Sequence, residues 1–581
     1  MLPVWAVGCA ASPPPAAAGG VAIAFAALEG SPACSATWNG TGTLPAAGAD
    51  AIDHLTLRWT ELDTGKGATA SITAAEVAAN GTWNVGVLPV SQQLQLQVYG
   101  CTVDNRAVWY GKGSDFAVKQ GEDTTAQIFL TQPGKLDCVG RAGSGGSLQT
   151  SRAFAGGATL ASGNAIIAGG AASWDGKSAT ASPATDIYDY RLGQWRPGPP
   201  LHAARIWPQV LPLDRTHVLV VGGVPHLAQT QTSLPIVLFS PDDVSKSAQP
   251  TPVAEVIDIQ TDPTTAVAIG ANFGSGALPL SRATVAGDGV VFIGGLDQTG
   301  QGVTTGARVR GLAGIASGTG TLEPLTLATA RVQPAVLSYA DGTVVVWGGQ
   351  STGNAANFGE IIAPGSASGA RLQVSGAPIL ADPNAQTLGA AAVMLSEQAD
   401  ILTFFVTGGI PANTGWATDT PSYVVAVDRK QGTAACTRVS LPGGAPLPGG
   451  LGIAATRLDG GYILLSGGLL SLGKLAAAAD PQGLCQTDDQ VKHGCVVSGF
   501  TLLQPIIDPL ATTVTPVVFD TLSPLGPHFG QVALPLPVGA LLAGGMMSVS
   551  MPASATDTFD SAAQIVTAPL SLADGQAACA L

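Results

Sequence analysis

Seven times between residues 164 and 545, a short apolar stretch runs into a pair of glycines. NAIIAGG closes at Gly169-Gly170, HVLVVGG at Gly222-Gly223, VVFIGG at Gly294-Gly295 and VVVWGG at Gly348-Gly349; TFFVTGG, YILLSGG and ALLAGG follow at Gly408-Gly409, Gly467-Gly468 and Gly544-Gly545. Successive pairs stand 53, 72, 54, 60, 59 and 77 residues apart. A unit of about 50 residues therefore repeats, with insertions in the longer intervals. Arg331–Gln350 shows the unit most clearly: an apolar strand, the turn pair Asp341-Gly342, the β-branched strand Thr343–Trp347, then Gly348-Gly349. One hairpin cannot bury its own faces, so such a chain must pack its copies against one another.

Two further markers keep register with the glycines. Arg152, Arg205 and Arg331 each precede their glycine pair by 17 residues, and Arg282 precedes its own by 12, as if that hairpin were shortened. TDIYDYRLGQW (Thr185–Trp195) aligns without gaps with TDTFDSAAQIV (Thr556–Val566), each placing an aromatic before an Asp. The order Arg, apolar strand, Asp-Gly turn, β-branched strand, Gly-Gly, then Tyr-Asp and Trp resembles the kelch repeat of galactose-oxidase-like β-propellers. The resemblance implies an all-β fold, with a seven-bladed kelch-type β-propeller over residues 151–581. Its glycines would let backbones approach near the axis, and Tyr188 and Trp195 would fill the wedge between blades. It also gives the arginines two readings. Arg152, Arg205, Arg282 and Arg331 present a half-ring of guanidinium groups at one channel mouth, a ligand-binding arrangement suited to carboxylates; or each caps local carbonyls and pairs with a neighbouring Asp.

The N-terminal quarter lacks the repeat. Met1–Cys9 (MLPVWAVGC) followed by ASPPPAAAGG resembles a bacterial lipoprotein leader, with lipidation at Cys9 and residues 1–19 as signal and tether. Residues 20–133 alternate apolar and polar positions at Val21–Leu28, His54–Leu62, Thr82–Leu88, Gln93–Cys101 and Thr125–Gln132. Short strands at this spacing predict a small immunoglobulin-like β-sandwich. The Gly- and Ser-rich residues 134–150 read as a linker.

None of the eight cysteines forms a CxxC, which weighs against zinc and thioredoxin-like chemistry. The expected disulfides are Cys34–Cys101, Cys485–Cys495 and Cys138–Cys579, the last stapling the repeat region closed, with Cys436 left as a free thiol. Spacing alone does not decide such pairings.

Charge narrows the partners. The net charge is −14 and no Lys/Arg run occurs, which argues against nucleic acid and leaves a lipid anchor as the route to a membrane. The mean hydropathy of +0.32 is spread over alternating strands, and no apolar run reaches the length of a spanning helix. Copper oxidases of the galactose-oxidase type use a Tyr-His pair absent here, and the six histidines, His54, His202, His217, His226, His493 and His528, show no close HxH or HxxxH spacing. His202, His217 and His226 fall near one blade. SWDGK (Ser173–Lys177) begins like the Asp-box of sialidase propellers, and Asp480, Asp488 and Asp489 form an acidic loop; hairpin and solvated turns explain both. No P-loop, G-x-S-x-G or HExxH occurs. No metal site, catalytic residue or cofactor is implied. The expectation is an extracytoplasmic binding protein, a cell-surface lipoprotein or secreted, that recognises a protein or glycan. The alternative is a carbohydrate-active enzyme of the same fold.

Overall fold

The computed structural model describes residues 18–27, 51–80, 83–138, 147–174, 178–190, 193–228, 254–260, 267–269, 280–297, 301–315, 320–349, 358–376, 387–411, 418–471, 476–477, 485–486, 495–497, 499–517, 528–546, 563–567, 569–570 and 572–580. The protein is predominantly β and divides into two units: Met1–Ala26 with Thr41–Leu130 and Leu572–Leu581, and Ala27–Gly40 with Thr131–Ser571.

The first unit holds two sheets. One runs Trp83–Pro89, Ala18–Ala27, Thr124–Leu130; the other runs Gly67–Thr73, His54–Glu61, Ser91–Cys101, Ala107–Val118. Alternation buries Leu55, Leu57, Leu94, Leu96 and Val98 completely. Two strands escaped the sequence pattern, Gly67–Thr73 and Ala107–Val118, because the first is exposed along its length and the second is interrupted by Gly111, Gly113 and charges. A helix, Ala74–Asn80, opens on a capping box: the Glu76 amide donates to Thr73 Oγ1 at 3.3 Å, and the Thr73 amide donates back to Glu76 Oε2 at 3.0 Å. The Thr73 hydroxyl also donates to Glu76 Oε2 at 2.7 Å, and this bond with that of the Thr73 amide lowers the Glu76 pKa. The unit is completed from the far end of the chain by the helix Leu572–Cys579.

Cys101 is bonded to Cys579, which corrects both expected pairings that used them, Cys34–Cys101 and Cys138–Cys579. Cys579 folds with the first unit and not with the repeats. Cys485 is bonded to Cys495, and Cys436 is a buried free thiol. Cys9 and Cys34 lie outside the described residues.

In the second unit, seven sheets among the described residues share one plan, each opening with an antiparallel hairpin whose second strand ends at a glycine pair. The opening strands are Gly156–Thr159, Gln209–Pro212, Arg282–Ala286, Ala335–Ser338, Ala391–Gln398, Ala454–Arg457 and Val532–Leu536. Each packs against the next in this order, and the seventh packs against the first. Third strands follow at Thr185–Asp189, Ala254–Asp258, Val303–Arg310, Gly359–Ile362, Ser422–Asp428, Phe500–Leu503 and Ala563–Thr567. The last sheet takes its fourth strand, Leu136–Cys138, from residues the sequence assigned to a linker. Residues before the first repeat thus close the cycle in place of the expected disulfide.

Hydrogen bonds between sheets follow the same order. The second glycine of a pair donates its amide to a carbonyl of the segment that leads into the next opening strand: Gly170 to Arg205 (2.8 Å), Gly295 to Arg331 (2.8 Å), Gly349 to Thr387 (3.0 Å), Gly409 to Gly450 (2.9 Å), Gly468 to His528 (3.1 Å) and, closing the cycle, Gly545 to Arg152 (2.9 Å). All fourteen glycines of the seven pairs have positive φ, between 62° and 121°. Their requirement is therefore conformational first, since a left-handed backbone penalises every side chain. Close approach adds to it at some positions: a Cβ on Gly294 would collide with the Arg331 carbonyl oxygen, whereas on Gly348 it would meet nothing nearer than 3.5 Å.

Register also corrects the alignment of Thr185–Trp195 with Thr556–Val566. Asp186 stands opposite Ile167, two residues before Gly169, and the residue opposite Leu542, two before Gly544, is Gln564 and not Asp557. Tyr188 and Trp195 are buried cross-strand neighbours with ring centroids 5.2 Å apart. Among the described residues no helix is long and apolar enough to cross a membrane.

Candidate functional site

Three of the four arginines are framework, not ligand sites. Arg152, Arg205 and Arg331 are each at most 1% exposed. Each pairs with an acid on the third strand of the sheet whose opening strand it precedes: Arg152 with Asp186, Arg205 Nη2 with Glu255 Oε1 at 2.5 Å, and Arg331 Nε with Glu360 Oε1 at 3.0 Å. Arg205 and Arg331 also donate Nη1 to the carbonyl of the first glycine of their pair, Gly222 at 3.0 Å and Gly348 at 2.6 Å. One guanidinium thus ties the start of a sheet, its glycine corner and its third strand together, which is the capping and pairing alternative. Burial is the largest influence on all three arginines and lowers their pKa, with the paired carboxylates opposing it.

The acids went unrecognised in the sequence, although a signal existed. Asp186, Glu255 and Glu360 all stand opposite the residue two before the glycine pair. Sheets without the arginine carry no acid at that position: Ala307, Tyr423, Thr501 and Gln564 occupy it.

Arg282 belongs to a different position. Two residues after each framework arginine, the chain enters the left-handed region, at Phe154 (φ 55°), Trp207 (φ 60°) and Gln333 (φ 47°). Leu280 (φ 59°), Gly389, Gly452 and Gly530 mark the same point in the other sheets, and the Trp207 amide donates across to the Phe154 carbonyl at 2.7 Å as Phe154 does to Gly530. Arg282 therefore lies two residues after this landmark and four after the position of Arg152, which in its own repeat is Leu278. No shortened hairpin is needed; its spacing of 12 marks a separate place on the opening strand. Its counterparts there are Gly156, Gln209, Ala335, Ala391, Ala454 and Val532.

All seven of these positions belong to opening strands, and a cavity of about 310 Å³ is lined by residues of every one of the seven sheets. Among the described residues Arg282 is the one charged side chain in that lining. It is partly exposed, yet enclosed enough that burial, the sole influence on it, lowers its pKa to about 10. Gln209 occupies the equivalent point on the adjoining sheet, while Phe154 and Trp207, rings 4.9 Å apart, stand on the same side of the lining. Each left-handed non-glycine residue carries about 1–2 kcal/mol of strain, held here by a collar in which Phe154 also meets Phe529 edge-on at 4.7 Å. A larger cavity of about 700 Å³ beside the fifth sheet is lined by hydroxyls and by Arg438, which is already paired with Asp419 at 3.2 Å.

The other sequence candidates do not assemble. His202 Nδ1 lies 3.1 Å from Glu255, His217 Nδ1 lies 2.8 Å from Asp214 in a turn, and His226 sits on a separate strand. Among the described residues no three His, Cys, Asp or Glu are placed to share a metal ion. Ala171–Trp174 pairs antiparallel with Ser178–Ala181, which places Ser173 and Trp174 on a strand, and Asp175, Gly176, Lys177, Asp480, Asp488, Asp489 and His493 lie outside the described residues. Fold and site together define a predominantly β protein in which residues of seven similar sheets line one cavity, with Arg282 the single cation among the described lining. No protein-family model matches the chain, and no curated protein matches it.

Proposed function

We propose that the chain is an extracytoplasmic recognition protein in which a seven-bladed kelch-type β-propeller, preceded by an immunoglobulin-like β-sandwich, binds a protein or glycan. The observation that carries this reading is the cyclic succession of opening strands, in which the seventh packs back on the first. Such a cycle leaves each opening strand as a short edge covered by its neighbours and carries the segments after the glycine pairs on a common frame, an arrangement suited to presenting loops. The buried Arg–acid pairs serve that frame. The disulfides Cys101–Cys579 and Cys485–Cys495 are compatible with an oxidising compartment, and the leader ending at Cys9 supports a lipid anchor.

The test is a glycan array and a panel of purified surface proteins probed with the full chain, repeated with loop variants. Saturable binding lost on altering loops but retained by the Cys9→Ala variant supports the reading. Turnover of a sugar in place of stable binding would overturn it in favour of an enzyme. Mass spectrometry of the membrane-extracted chain tests Cys9 separately, an acylated N-terminal peptide being the expected product.

A further inference from the structure

We propose that the axial cavity is a binding site for a small organic monocarboxylate, whose carboxylate sits on Arg282 with the Gln209 amide beside it and whose apolar body lies against the aromatic and alanine walls. The inference uses the observed cycle of sheets and is independent of what the loops recognise.

The argument begins with what surrounds each arginine. The three framework arginines are compensated by Asp186, Glu255 and Glu360. In the third sheet the residue at the acid's position is Ala307, and among the described residues no acidic side chain lines the cavity. A guanidinium enclosed by protein without a counter-charge is unfavourable, and an anion entering from solvent removes that penalty. A carboxylate fits the planar fork of donors with two parallel hydrogen bonds.

The walls then narrow the class. Apart from Arg282, the positions at its level offer one amide, Gln209, and otherwise Gly156, Ala335, Ala391, Ala454 and Val532. One cation with one amide at that level matches a single negative charge, since Gln531, the other amide of the lining, already donates to Ser466. The small side chains of the fourth to sixth sheets leave space opposite Arg282, and Phe154 and Trp207 supply a flat apolar surface. A volume of about 310 Å³ stands at the lower end for ligand pockets and is too small for a folded partner.

The experiment is calorimetric titration of the full chain with benzoate, butyrate and lactate, benzamide serving as the neutral isostere of benzoate, while Trp207 fluorescence reports occupancy. At least one acid is expected to bind saturably, with benzamide at least tenfold weaker than benzoate. Arg282→Gln should weaken the acid at least tenfold with an unchanged circular dichroism spectrum. Ala454→Leu, which fills the cavity and keeps Arg282, should do the same; it carries the test with the benzamide comparison if Arg282→Gln does not fold. Failure of all three acids to bind at millimolar concentration overturns the proposal, as does equal affinity for benzamide or for Arg282→Gln. Tighter binding of inorganic phosphate, or binding of an aspartate-containing heptapeptide alone, overturns it as well.

Discussion

Replacing Arg331 by methionine removes a buried charge and leaves its partner behind, which makes it a sharp test of the framework role. Glu360 is 0% exposed and accepts from Arg331 Nε at 3.0 Å and from the Ala328 amide at 2.6 Å. After Arg331→Met the carboxylate loses its guanidinium and keeps the Ala328 amide, and the Gly348 carbonyl loses the Arg331 donor. Orphaning one member of a buried ion pair costs about 3–5 kcal/mol, to which the lost carbonyl hydrogen bond adds about 1 kcal/mol. The companion variant Arg331→Met/Glu360→Leu removes both charges and fills similar volume, so most of the loss should return, because an apolar replacement of a buried pair is close to neutral. Urea unfolding of the single and double variants measures the difference, read as midpoint shifts at unchanged slope. A loss below about 1 kcal/mol for Arg331→Met, or a double variant no better than the single, would refute the assignment of these arginines to the frame.

Three further outcomes follow from the same geometry. Gly294→Ala should destabilise by more than about 3 kcal/mol, because strain at φ 62° is joined by collision with the Arg331 carbonyl, whereas Gly348→Ala, at φ 63° with open space, should cost only about 1–2 kcal/mol; thermal unfolding compares them. Burial pushes the Cys436 thiol from 9.0 up to about 12, so the native protein should resist alkylation at pH 8 and react on unfolding. The unfolded thiol ionises first, so this contribution to stability is full below pH 9 and falls as pH rises from 9 toward 12, a dependence that Cys436→Ala should abolish. Non-reducing peptide mapping should recover Cys101 joined to Cys579, and Cys579→Ser should expose the C-terminal helix to limited proteolysis, shortening the chain by about ten residues.

What the sequence determined by itself was whatever depends on neighbours along the chain. The glycine pairs were legible because positive φ is a local demand that few other residues meet, and the strands beside them because alternation and β-branching act over a handful of residues. The capping box at Thr73 and Glu76 is equally local, a threonine with a glutamate three residues on. Tertiary structure decided everything that rests on distant partners. Arg152, Arg205 and Arg331 find their acids 34, 50 and 29 residues downstream, at a level set by strand register and not by spacing. Cys101 meets Cys579 across 478 residues because the last helix returns to the first unit. Arg282 looked like a displaced fourth member of the arginine set. Only the left-handed turn at Leu280, which fixes the phase of its opening strand, moves it four residues along and into the cavity. Side chains on a strand change face with each residue, so its function follows from a register that no count from the glycines supplies.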